Sequence, residues 1–517
     1  MNTWILWSVI VVYFALLILI GRMGYKMSNN LSDFVAGNWN MGLLLVGGTF
    51  VATWVSSVSI MGFPGMLFGK GLVALTAIYS GFFMANSLMP IIGYKIRRPV
   101  MPPATIPEYF RLRFEPHSKK SGLQAIGGIA MAIGYLLYVM IQISAFGYIF
   151  SSITGLSYLA SIFIFGIFVL YIAAGGTLSV ATSDLFNSLV IIVSVVVGAL
   201  IILPKVGGWS QMWAQYASIN SPALEGKEVV SGSKMLTLLG PYSISTVIGM
   251  FISSSLGASV APHWPSRMLY ARNVKTAVAL PMVSQIIIAF FVFGSLLIMG
   301  VGGRVLIGTL SAKSTDALMP LLFLNHFPSI LGALGIAGLV AASVSTTNSM
   351  LFHGALAVIY DVFKNYAGKS YNDKALERAA KITVLAVGLI AIVIAIKPPE
   401  FIAVLSAYVF GFWGSAFIVP VYMGLYWKRL NRKGAYWAMI TGPISYVTLD
   451  LMIKKNIISG FIPAIVWSLI ITVSGAIILS LVYEPAPREC WEPFWEPEVS
   501  NDTEVAWAAA RKELLAD

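Results

Sequence analysis

The sequence predicts an all-α polytopic membrane protein: thirteen transmembrane helices around a five-plus-five inverted-repeat core. Three observations lead there. Hydrophobic residues make up 58% of the 517 residues and charged residues only 10%, whereas a soluble domain carries about 25% charged residues to cover its surface. Apolar runs of about 20 residues recur along the chain, and only helices or closed barrels satisfy the backbone in lipid. Two of those runs are interrupted by small and hydroxyl residues at matched places in the two halves.

The predicted spans are 4–22, 42–68, 72–93, 122–150, 156–175, 179–203, 237–262, 276–301, 328–362, 380–396, 400–425, 434–453 and 459–483. They divide the chain into a first peripheral helix and loop (1–41), a first repeat of five helices (42–207) and an extracellular loop (208–236). A second five-helix repeat (237–425), two more peripheral helices (426–484) and a cytoplasmic tail (485–517) follow. The start, Met1-Asn-Thr-Trp4, has no basic n-region, so the first span is expected to be retained rather than cleaved.

Charge orients the bundle. With loops assigned alternately to two faces, only Lys70, Lys205, Lys227, Lys234, Arg304, Lys313, Lys397, Lys454 and Lys455 fall on one of them. The other carries the remaining 24 of the 33 lysines and arginines, which makes it cytoplasmic. The N-terminus is then outside and the C-terminus inside, in a plasma (inner) membrane. The net charge of +12 is sorted by face and does not indicate nucleic acid. A single cysteine, Cys490, excludes an intramolecular disulfide.

No loop is long enough for a catalytic domain, and an enzyme is not expected. The 204–236 segment, with Trp209, Trp213 and Tyr216, reads as a short interfacial helix capping the bundle. The 94–121 loop, with Pro99, Pro102, Pro103, Pro107, Arg111 and Arg113, reads as solvated and basic. The tail alternates Glu484, Glu489, Glu492, Glu496 and Glu498 with Trp491 and Trp495, ending in a helix near 503–515.

The polar core stands out against this background. Ser343, Ser345, Thr346, Thr347, Asn348 and Ser349 occupy one stretch of the 328–362 span. One or two hydroxyls would be helix–helix glue; five and an amide point to an ion or solute site. Span 42–68 gathers Thr49, Thr53, Ser56, Ser57 and Ser59 before Gly62-Phe-Pro-Gly65. Span 237–262 gathers Ser253, Ser254, Ser255, Gly257 and Ser259 before Pro262. Each opens a five-span half, the position at which carriers built from inverted repeats break a helix and free carbonyls for a ligand.

Asp184 lies inside the sixth span, either as a functional acid or as a helix-start acid favoured by the dipole. Asp361 and Asp450 read as interfacial, and His353 as a satisfied core histidine.

Four stretches resemble the sodium:solute symporter family, whose fold is that of the bacterial leucine transporter. They are Phe34 to Gly42 leading into Phe63-Pro-Gly65, Gly175-Gly-Thr177 with Ser183-Asp184, Pro262-His263 with Arg267 to Arg272, and Ala341 to Asn348. Lys397 to Glu400 and Gly424 to Ala435 look closest to the pantothenate permease branch. The resemblance implies a sodium site from the carbonyls of Ala52, Val55 and Ala342 and the hydroxyls of Ser345 and Thr346. Carried over by position, a second sodium would use Asp184, Ser345, Asn348 and Ser349. Substrate contacts are expected from Thr53, Ser56, Ser57, Ser253, Ser254, Ser255 and Ala258. Serines in the broken second helix argue against a proline-type pocket, and no buried arginine is evident to meet a carboxylate.

The expected function is sodium-coupled import of a small organic solute, such as the carboxylate pantothenate, by alternating access. Sodium is the coupling ion, and no cofactor, other metal, nucleic acid or obligate protein partner is expected. Proton coupling, passive transport and a solute-sensing receptor without its own output domain are the alternatives.

Overall fold

The computed structural model describes residues 2–26, 35–173, 176–312, 314–367, 373–397, 402–496 and 499–515. Phe34, Gly175, Lys313, Pro398, Pro399, Glu400 and Glu498 from the sequence reading lie outside them.

Among the described residues, nine helices are long and apolar enough to cross a membrane, or ten if one bent pair counts as a single span. In order, α1 is Thr3–Lys26, α2 Leu43–Trp54, α3 Val58–Lys70, α4 Leu75–Ile96, α5 Ile106–Phe114 and α6 Gly122–Thr154. Then come α7 Tyr158–Ala173, α8 Gly176–Lys205, α9 Gly208–Ala217, α10 Ile244–Gly257, α11 His263–Tyr270 and α12 Val274–Ile307. The remainder are α13 Leu318–His326, α14 Ser329–Lys364, α15 Asp373–Ala395, α16 Ala403–Tyr426, α17 Arg432–Lys454, α18 Ala464–Val482, α19 Arg488–Trp495 and α20 Asn501–Leu515.

Local chemistry sets these boundaries. The side chains of Ser121, Ser243, Asn273 and Asn431 accept from the amides of Gln124, Thr246, Thr276 and Gly434, capping α6, α10, α12 and α17, as N-caps should. Gly155, at φ +70°, ends α6 in the left-handed conformation. At φ +85°, Gly71 lets the chain turn against the Met235 backbone, where a Cβ would not fit.

The polar-rich α14 packs on α6 and α8, and its stretch 332–356 is buried apart from Leu334. A helix apolar on most faces yet sunk among others belongs at the centre of a bundle. Beside it, α2 and α3 meet at a bend of 47°. The bend falls at Val55–Ser56. The Gly62-Phe-Pro-Gly65 segment stays helical: Pro64 falls where a wider π-helical turn, Val58–Gly62, passes into α-helix, a local adjustment by which membrane helices tolerate proline. Gly65 is there for proximity: a Cβ on it would meet the Thr315 backbone oxygen at 2.8 Å.

Two readings need correction. Arg111 and Arg113 are buried on α5. Arg113 donates to the carbonyls of Gly424 (2.6 Å) and Trp427 (3.2 Å) at the end of α16, a favourable place for a cation. Asp361 is not interfacial; it is fully buried and accepts from Thr105 (2.6 Å) and Gln124 (3.0 Å). The 204–236 segment does cap the bundle: Tyr216 on α9 is buried and donates to the Leu67 carbonyl.

Candidate functional site

The site is built where α2 stops. Val55 leaves helical geometry at φ −89°, ψ 68°, and Ser59 N bonds Ser56 O (2.9 Å), so the ladder skips Val55. Small and hydroxyl side chains make such a break tolerable, because they re-satisfy the freed groups. Ser59 Oγ donates to Trp54 O (2.8 Å), and Ser57 N donates to Gln142 Oε1 (3.1 Å).

Across the break stands α14. Ser345 Oγ lies within reach of two carbonyls, Ala52 O at 3.2 Å and Ala342 O at 3.3 Å. Both distances are at the long end for a hydroxyl donor. Next to it, Thr346 Oγ1 is buried without a hydrogen-bond partner. Three of the five expected sodium ligands, Ala52, Ala342 and Ser345, thus meet at one hydroxyl, and Thr346, the next residue in sequence, carries an orphaned one. Ser343 Oγ pairs with Ser57 Oγ at 2.5 Å, and Thr347 bonds its own helix at Ser343 O. Ser343 therefore joins α14 to α3, while Thr347 is internal to its helix.

A second cluster adjoins the first. Asp184, fully buried, accepts from Thr49 Oγ1 at 2.6 Å. It is the ninth residue of α8, beyond the first turn where a helix dipole would account for it. The sequence reading saw no buried arginine, yet Arg267 of α11 is 1% exposed. Its Nη2 donates to Thr53 Oγ1 (2.7 Å), to Thr49 Oγ1 (3.4 Å) and to Ser349 Oγ, and lies 3.9 Å from Asp184 Oδ2. Nη1 donates to His263 O. Asn348 is buried with neither amide atom bonded. His353 is satisfied, between Ser349 O (2.7 Å) and Tyr270 OH (3.0 Å).

The second break separates α10 from α11 at 260–262. Here Pro262 precedes α11, and Trp264 N returns to Ala261 O. The two breaks face each other through indoles: Trp54 and Trp264 stack at 3.9 Å and 11°. Phe82 and Phe410 lie edge-on or stacked against this pair. His263 is buried with neither ring nitrogen bonded, among Tyr135, Tyr138 and Trp413. Gln142 Nε2, Tyr135 OH and Trp264 Nε1 also lack partners. Orphaned buried polar atoms are rare. Four residues that carry them, Tyr135, Gln142, His263 and Trp264, lie on α6 and at the start of α11.

The expected substrate residues divide. Thr53 binds Arg267, Ser56 Oγ lies 3.3 Å from Tyr138 OH, and Ser57 bonds Ser343, all at the first break. Ala258 is fully buried beside the second. Ser254 packs against Gly81 of α4, and Ser255 bonds its own helix at Ile252 O. Ser253 instead lines a cavity of about 600 Å³ between α10, α16, α17 and α18. Sequence reasoning missed Gln142, Tyr138, His263 and Trp264. Gln142 carried a readable signal, an amide in the middle of an apolar span.

Residues 34–442 match the model of the sodium:solute symporter family. The chain belongs to that family. It is therefore an integral membrane protein and a sodium-coupled symporter of a small organic solute, not an enzyme. An osmoregulated proline transporter (OpuE) of Bacillus subtilis (strain 168) is 24% identical over 484 residues, covering 92% of this chain and 94% of the relative. A sodium/proline symporter of Staphylococcus aureus (strain bovine RF122 / ET3-1) is 26% identical over 492 residues, covering 91% and 92%. The structure of a Na⁺-coupled sialic acid symporter, substrate-bound and outward-open, aligns with TM-score 0.74 at 17% identity over 93% of this chain and 98% of that one. That likeness establishes the shared fold, the leucine-transporter-like five-plus-five core.

Proposed function

We propose that the chain imports a small zwitterionic amino acid of the proline class, driven by sodium bound where α2 breaks against α14. The carrying observation is the meeting of Ser345 Oγ with Ala52 O and Ala342 O beside the orphaned Thr346 hydroxyl. Sodium is a hard cation that takes oxygen ligands. Carbonyls of Ala52, Val55 and Ala342 with hydroxyls of Ser345 and Thr346 offer it neutral oxygens. Because no carboxylate fixes the charge in that set, release toward the cytoplasm is easy. Sodium at the break ties the first repeat (42–207) to the second (237–425) and favours the state open to the outside.

The proline class, rather than pantothenate, is supported by the names of the relatives and by the second break. Trp54, Trp264 and Phe410 gather at the breaks, while positions 253–258 hold no aromatic residue. Parted from one another, such faces suit a compact ring and a cationic nitrogen. The solute carboxylate is met by Gln142 Nε2 and by the N-terminal end of α3, and the ammonium by carbonyls freed at the end of α2.

Thirteen spans, with the N-terminus outside and the C-terminal tail of 485–517 in the cytoplasm, fit the sorting of basic residues. Residues 1–41, 208–236 and 426–484 then form the peripheral helix, the outer loop and the last two spans. One charge crossing 100 mV supplies about 2.3 kcal/mol, or roughly fifty-fold accumulation. The test is uptake of radiolabelled L-proline by proteoliposomes under an inward sodium gradient, with competition by other amino acids and by pantothenate. Concentrative uptake suppressed by proline analogues supports the reading. Uptake indifferent to replacing sodium with choline at fixed pH contradicts it.

A further inference from the structure

The cluster that carries over as a second sodium site already contains a cation. Arg267 Nη2 is bonded to Thr53, Thr49 and Ser349 and lies 3.9 Å from Asp184 Oδ2. Asp184 and Ser349 are two of the residues that would ligate the ion. We propose that the Arg267 guanidinium is a tethered substitute for a second coupling ion, so that this chain binds one sodium per transport cycle.

Two features support it, and the inference rests on the sodium reading above. The first is position: Nη2 takes the oxygens of α2, α8 and α14 together, from the side of α11. A sodium ion at those oxygens would lie within a few ångströms of a guanidinium that is 1% exposed, where like charges repel without screening by water. Fixation is the second. Nη1 is anchored on the carbonyl of His263, one turn earlier in the same helix, so the charge is delivered by the fold and needs no ion from solution.

Tethering has a functional consequence. Each additional sodium ion that moves down a potential of 100 mV multiplies the attainable solute gradient roughly fifty-fold. A chain whose second cation never leaves gives up that factor and becomes less steeply dependent on external sodium.

Equilibrium binding of radioactive sodium to the purified full-length protein in detergent, by scintillation proximity, tests this without knowledge of the solute. The expected result is one sodium per chain. Two per chain overturns the substitution by Arg267, whereas no saturable binding overturns the sodium reading itself and this inference with it. In Arg267→Gln the acid loses its partner, and the expected value rises to two, with thermal stability that increases with sodium concentration. A folded Arg267→Gln that still binds one sodium overturns the proposal. If that variant does not fold, Arg267→Gln combined with Asp184→Asn removes the charge pair as a unit. Its expected value is one; two would contradict the role given to Asp184.

Discussion

Ser345 of α14 reaches the Ala52 carbonyl of α2 across 3.2 Å, although 293 positions separate them in the chain. The contact joins the broken first helix of one repeat to an unbroken helix of the other. It exists because α2 stops at Val55 and leaves carbonyls without their usual partners. The sodium ion proposed for this place would act on the relation between the two repeats, the relation that alternating access changes.

Breaking the buried Asp184–Arg267 pair from one side is costly. Asp184→Asn should lower stability by about 3–5 kcal/mol, because a buried guanidinium is left without its counter-charge. Adding Arg267→Gln should recover much of that loss, since the two residues act as one unit. Thermal unfolding in detergent measures both, and additive losses would show that the pair is not coupled.

The approach of α10 to α16 leaves no room for a side chain at Gly257. A Cβ there would meet the Phe410 carbonyl oxygen at 2.4 Å, and backbone cannot swing aside. Gly257→Ala should therefore cost about 1–3 kcal/mol by overpacking. Gly42→Ala, with nothing within 4 Å, is the control. Equal effects of the two on thermal stability would argue against the close packing at the second break.

Gln142 accepts from Ser57 N through Oε1, while its Nε2 is buried without a partner and is the donor proposed for the solute carboxylate. Gln142→Ala should raise the solute concentration for half-maximal uptake by roughly ten-fold or more, the scale of a lost hydrogen bond to a charged group of about 1.5–3 kcal/mol. The sodium concentration for half-maximal uptake should hardly move. A change confined to sodium dependence would place Gln142 at the ion instead.

The tail is held by Glu492, which accepts from Thr503 and Ser500 and pairs with Arg488. Burial opposes ionisation of this carboxyl, but those hydrogen bonds prevail and draw its pKa down from 4.5 to about 2. A lowered folded pKa contributes stability in full above the unfolded value and loses it as pH falls through the folded one. Docking should thus be unchanged from pH 7 to about 5 and weaken between about 4.5 and 2. Cys490, the only cysteine, lies two residues before Glu492 on the same short helix and is buried, and burial pushes its thiol up to about 12. Its reaction with an acid-tolerant disulfide reagent reports the release; faster labelling already at pH 6 would contradict the assignment.

Much of this was legible in the sequence, for physical reasons. Long apolar runs predict helices because lipid leaves the backbone no other partner. The crowding of serine and threonine around Thr53 and Ser345 located the first break and the helix opposite. Arg267 was not legible: it follows Pro262 and precedes Arg272 and Lys275 on a basic stretch, and composition alone makes it another solvated loop residue. Only the fold turns α11 inward and sets its arginine against Asp184. Arg111 and Arg113 were misread for the same cause, though their alternation with Tyr109, Phe110, Leu112 and Phe114 carried an amphipathic signal. Serines 253–255 drew attention as polar residues, and Ser254 Oγ is indeed unpaired, but further unpaired groups lie on α6, α11 and α14.

The central claim is that sodium is held between α2 and α14. The most direct measurement is the sodium concentration for half-maximal uptake of radiolabelled L-proline in Ser345→Ala and Thr346→Ala proteoliposomes, at saturating solute. The account predicts a rise of about ten-fold or more in both, with the maximal rate approached again at high sodium. Unchanged sodium dependence in both variants, with protein folded and uptake intact, would contradict it.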